Sequence, residues 1–269
     1  MSDQAPPPPD PPTPRRTTTP YPTTPDPATP RMLDAALDKA VAIPSATIHA
    51  HVDRLRRRNP SATPAQLVTM LERQYLLAVG ASGGAVGAAA AAPAVGTGVA
   101  LALTATEVAT FFAASAAFSL AVADVHGIAV EDTARRRTLL LATVLGNQGT
   151  ATIGAETGLP AQAWARSLLT GMPTATVRRV NTALARRMLR RHATRHGAVA
   201  LGRVIPFGIG AIIGVAGARA LGRTVVGAAR RAFGPAPDGF PRVIEATAKP
   251  IGLPDAAASP RIEPPRPVG

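Results

Sequence analysis

The chain has 269 residues and no Cys, which excludes disulfides, thiolate metal sites and a cysteine nucleophile. Aromatic residues make up only 3%, against a stacking platform for single-stranded nucleic acid. The 46% hydrophobic content is dominated by Ala and Val, so a core has to be built from closely packed small side chains, and the net charge of +13 calls for an anionic partner or surface.

Residues 1–30 are rich in Pro and Thr and contain no apolar core of the kind a secretory signal carries. Such a segment buries too little apolar surface to offset its ordering entropy and is expected to be a disordered tail with polyproline II character. A first helix is expected over Met32–Val41, ended by Ile43-Pro44-Ser45. A second follows to Arg58 and stops at Asn59-Pro60. Thr63-Pro64-Ala65-Gln66 has the form of a capping box with Pro at the first helical position. The helix it opens passes Leu67, Met70, Leu71 and Leu76 and can reach Pro93.

From Gln74 to Thr106 there are 33 residues without a charge, and a second charge-free stretch of 15 runs from Val204 to Ala218. Small residues recur at every fourth position in both, at Gly83 and Gly87 and at Gly210 and Gly214. That spacing lays a groove along one helix face where another backbone can approach closely. The two motifs are therefore expected to pack as partners in one bundle.

After a turn at Gly96-Thr97-Gly98, a second long helix is expected from Val99 to Asp124, completing an apolar hairpin ended by His126-Gly127. Glu131-Asp132 then stand at the start of a helix through Leu145, where the helix dipole favours acids. Further helices are expected over Ala161–Leu169, Thr174–His196 and Gly208–Phe233. The stretch from Pro235 to Gly269 reads as a second Pro-rich tail with a short turn at Phe240–Ile244. Strand-like alternation is absent, so the expected fold is all-α, with a helical domain over 31–234 between tails at 1–30 and 235–269.

These residues resemble the EcsC family. The resemblance rests on LDKAV at 37–41, the glycine-rich hairpin reaching Glu107, AVADVHG at 121–127 with the acidic pair after it, PFGIGAIIG at 206–214 and GRTVVGAARRAFGP at 222–235. It covers residues 33–235 and implies a bacterial, membrane-linked accessory role beside an ABC transporter, with no particular enzyme chemistry. The chain departs from the family pattern at Ala218-Arg219, where that pattern has an Asn after the late glycines.

Charge is distributed unevenly. Between Thr133 and Arg231, sixteen arginines stand against one acid, Glu156, leaving this segment at +15. On the helix after Thr174, Val177, Val180, Leu184 and Met188 share one face at 100° per residue. The candidate anionic-surface residues are Arg178, Arg179, Arg186, Arg187, Arg190 and Arg191. Such a basic amphipathic helix suits a membrane surface, nucleic acid, or a merely solvated face.

Eighteen residues at Tyr75–Ala92 and sixteen at Val108–Ala123 approach the length of a bilayer span, although Ala and Gly dominate them. Glu107 and Asp124 are candidate buried polar groups, Glu107 in an ion pair with an Arg and Asp124 as a helix-end cap. About 25 Å apart along one helix, they cannot form a catalytic carboxylate pair. GASGGAVG lacks the Lys-Ser/Thr of a phosphate loop and follows no strand. The expectation is a non-enzymatic protein without cofactor or metal, cytoplasmic and membrane-associated, whose basic face meets anionic lipid or a membrane protein. A nucleic-acid-associated protein and a soluble bundle without membrane contact are the alternatives.

Overall fold

Local punctuation sets most of the helix boundaries. The computed structural model describes residues 28–90, 97–199 and 209–240, so both Pro-rich tails expected to be disordered fall largely outside the described residues. Helix α1 (Ala28–Val41) buries Leu33, Ala36, Leu37, Ala40 and Val41 at helical spacing. Extended Pro44 separates it from α2 (Ser45–Arg58), which buries Ile48, Val52 and Leu55. The predicted capping box is in place ahead of α3 (Pro64–Ala90). Gln66 N–H donates to Thr63 Oγ1 at 3.3 Å, and Thr63 N–H donates to Gln66 Oε1 at 2.9 Å.

α4 (Thr97–Val125) is the central helix, packed by α1, α2, α3 and α5. Asp132 caps α5 (Thr133–Leu145) from just outside it, its carboxylate accepting from Arg135 N–H at 2.8 Å. The short α7 (Trp164–Arg166) continues as a π-helical turn, Ser167–Gly171, where a single α-helix was expected. It sinks the chain's one Trp, Trp164, to 1% exposure. α8 (Thr174–Val199) and α9 (Ile209–Phe233) complete an all-α fold, with no strand among the described residues.

One helix has no counterpart in the sequence reading. α6 (Asn147–Thr157) is rich in Gly and Thr, with Ile153 its one large aliphatic residue, so it carries almost no hydrophobic period. Close approach takes the place of side-chain burial. At Gly149 a Cβ would lie 2.1 Å from Ala142 O, so the backbones of α5 and α6 touch directly. Gly146, at φ 65°, makes the corner between them, and a Cβ there would lie 2.6 Å from Thr224 Cγ2 of α9. At the other end of the chain, Phe240 packs on the domain with the Arg56 guanidinium 4.0 Å above its ring centroid.

α3 and α9 form the most extensive helix pair and run antiparallel. Near the start of α3, the buried Glu72 carboxylate accepts from Arg230 Nε at 2.6 Å and from Arg230 Nη2 at 2.5 Å. Leu76 then meets Gly222, and Gly83 meets Gly214. A Cβ on Gly83 would lie 2.6 Å from Gly214 O and equally close to Ala218 Cβ, while one on Gly214 would lie 2.3 Å from Gly83 O. Gly87 joins this contact through its Cα, 3.5 Å from where a Gly214 Cβ would be. Gly210 lies outside the described side chains.

Candidate functional site

Three consecutive arginines at the start of α5, counted above with the basic segment, are committed inside the fold. Arg135 donates to the carbonyls of Leu168, Leu169 and Met172 at 2.7–2.8 Å, satisfying the end of the π-helical turn. Arg136, 7% exposed, donates to the carbonyls of Val41, Ile43 and Val130 and to Ser45 Oγ, which joins the α1–α2 corner to α5. Arg137 forms ion pairs with Asp34 and Asp38 of α1. Arg166 donates to His126 O, and Arg230 belongs to Glu72. The local excess of +15 therefore overstates the charge open to a partner.

On α8 the two faces are where the helical period puts them. Val177, Val180, Leu184 and Met188 are buried, and Arg178, Arg179, Arg186, Arg187 and Arg190 are exposed. Arg179 is engaged with Glu156, its Nε 3.2 Å from the carboxylate and its Nη2 donating to the Glu156 carbonyl. The side chain of Arg191 lies outside the described residues.

The apolar end of the molecule is built by α3, α4 and α9. Past Val79, before Phe112 and before Gly222, the described side chains of these helices bury only Gly80 and Gly83. Leu77 is 64% exposed, and Ala81, Ala85 and Ala88 continue its face of α3. Ala216, Gly217, Ala220 and Leu221 are exposed on α9. Arg219 lies across Gly80, its Nε 2.9 Å from the position a Cβ would take there. The segment Thr106–Val125 is the one described helix long and apolar enough to cross a membrane, and 56% of its apolar window is buried by the rest of the bundle.

Glu107 sits at this apolar end beside Gly83 and Ala218. No cation among the described residues comes within ion-pair distance of it, so the expected pairing with an Arg is not formed there. Burial alone pushes its carboxyl above the usual range, since desolvation penalises the charged form. Asp124 does not cap its helix end. It accepts from His49 Nδ1 at 3.0 Å across 75 residues, and Asp53 lies 3.4 Å from His49 Nε2. Asp124 raises the His49 pKa through this hydrogen bond and its charge. Sequence reasoning missed His49 because nothing local links α2 to the end of α4.

A cavity of about 280 Å³ beside this pair is lined by His49, Asp124, Glu131 and Arg136. Both His49 nitrogens face carboxylates, and Arg136 donates to three carbonyls and to Ser45 Oγ. No group of three or more His, Asp or Glu gathers in metal-binding geometry among the described residues. Comparison with protein-family models, curated proteins and solved structures finds no match to this chain.

Proposed function

We propose that this protein is a non-enzymatic accessory protein that attaches to an anionic membrane surface through its apolar end. The observation that carries the reading is that end itself, where α3 and α9 expose Leu77, Leu221 and a run of Ala and Gly bounded by arginines. A soluble domain usually covers such an area, and a contiguous apolar patch marks an interaction surface.

The dimensions favour embedding over crossing. From Gly80 to Ala90 and from Thr97 to Glu107 the helices rise about 16 Å each, and over Ile209–Ala218 about 15 Å. A bilayer core is about 30 Å thick, so the charge-free end reaches through roughly one leaflet. Glu107 and Arg219 would then stand near the headgroup level, where a carboxyl and a guanidinium are tolerated. Arg178, Arg186 and Arg187 on α8 supply cations for lipid phosphates, each contributing about 1 kcal/mol near an anionic surface at moderate salt. The EcsC resemblance supports the same membrane-linked role and suggests a membrane-protein partner such as an ABC transporter.

Liposome flotation tests the reading. The protein should float with vesicles containing phosphatidylglycerol and remain behind with pure phosphatidylcholine, and Ala85→Arg should weaken flotation without lowering thermal stability. Equal binding to neutral vesicles, or none to either, refutes it. Nucleic-acid binding that anionic vesicles fail to displace would favour the nucleic-acid alternative.

A further inference from the structure

Arg223 and Arg231 take no part in the internal arginine contacts that use up Arg135, Arg136, Arg137 and Arg230, and neither has an ion-pair partner among the described residues. Both line an open cavity of about 570 Å³ between α9 and the start of α6, together with Asn147 and Gln148. The volume falls within the range of small-molecule sites. Among the described residues no carboxylate lines it. Its cationic groups belong to α9, and its amides to α6.

Three glycine-dependent features shape this hollow. Gly146 turns the chain at positive φ so tightly against α9 that a Cβ would strike Thr224, which brings Asn147 and Gln148 opposite the arginines. Gly149 lets α6 lie directly on the α5 backbone. Gly227 stands four residues from Arg223 and four from Arg231, on the same face of α9, and leaves the space between them empty. A Cβ on Gly227 would meet only Arg231 Nη1, at 3.6 Å. Two guanidinium forks and two side-chain amides thus surround a concavity with donors, and no carboxylate of the described residues competes there. Guanidinium forks match phosphate oxygens in geometry as well as in charge.

We infer that this cavity is a binding site for a compact phosphate group, held by Arg223 and Arg231 with Asn147 and Gln148 as neutral donors. The phosphate can arrive on a soluble molecule or on a lipid headgroup, and the site does not depend on the apolar end being a membrane anchor.

The test uses the full chain and two probes. Inorganic pyrophosphate is titrated by calorimetry near physiological salt, and vesicles containing phosphatidic acid are used in co-sedimentation. Arg223→Gln and Arg231→Gln should each weaken pyrophosphate binding about tenfold or more, the value of one charged hydrogen-bond donor. Gly227→Leu should abolish it while keeping every charge, because the side chain fills the hollow. The pair Arg57→Gln and Arg58→Gln, exposed on α2 and equal in charge lost, should change affinity less than twofold; thermal melts establish that each variant is folded.

Variant-sensitive pyrophosphate binding with variant-insensitive vesicle binding identifies a soluble ligand. Vesicle binding that the cavity variants weaken and pyrophosphate competes identifies a headgroup. Gly227→Leu binding both probes like the wild type, an equal loss in the α2 control, or no binding of either probe by the wild type overturns the site.

Discussion

Gly83 offers the most direct check on the α3–α9 pairing. Replacing it with Leu puts a side chain where even one carbon would lie 2.6 Å from Gly214 O and from Ala218 Cβ. Backbone and a short Ala cannot swing aside, so the helices have to separate. Overpacking of this kind costs about 3 kcal/mol at the upper end of its usual range, offset by about 1 kcal/mol from the better helix propensity of Leu. The net loss of about 2 kcal/mol corresponds to a fall of roughly 4–8 °C in Tm for a domain of this size. Gly217 is the internal control, on the same helix as Gly214 but exposed, with nothing within 4 Å of its Cβ position. Gly217→Leu should raise Tm by about 2–4 °C, because only the propensity gain applies. Thermal melts followed by far-UV circular dichroism read both. Undiminished stability in Gly83→Leu, or shifts of the same sign in both variants, would refute the close-packed pairing.

Arg136→Met should be severely destabilising, by about 4 kcal/mol or more, because it strands three carbonyls and a hydroxyl at the α1–α2 corner; the urea midpoint measures this. The His49 clasp makes stability depend on pH. Asp124 raises the folded-state pKa above 6.5, so the contribution is fully present below 6.5 and is lost as pH rises through the folded value. Asp124→Asn should return the His49 NMR titration toward its ordinary midpoint and reduce this pH dependence to what Asp53 still contributes. Tyr75 is buried against Ser115 with its phenol pushed up to about 12, so an ultraviolet alkaline titration should show it ionising well above an exposed tyrosine, and Ser115→Ala should raise it further because that hydrogen bond lowers its pKa.

Helix starts and stops were legible wherever they depend on neighbouring residues. Thr63 and Gln66 form their box within four residues, Pro44 and Pro64 act through their own rings, and the buried stripe of α8 follows from its period alone. α6 left no such trace, since its packing depends on the absence of side chains at Gly146 and Gly149 and not on an apolar stripe.

Arginines show the same division at the level of the site. Sequence counts them and places them on helices, which was sufficient for the exposed face of α8. It cannot separate Arg135, Arg136 and Arg137 from Arg223 and Arg231, because most partners of the first three lie far away along the chain, Asp34, Asp38, Val41 and Ile43 on one side and Leu168 to Met172 on the other. A guanidinium is consumed or left free according to which carbonyls and carboxylates the fold brings within 3 Å of it. Composition and period therefore determine the helices and their charge, and only the tertiary structure decides which of those charges remain available to bind something else.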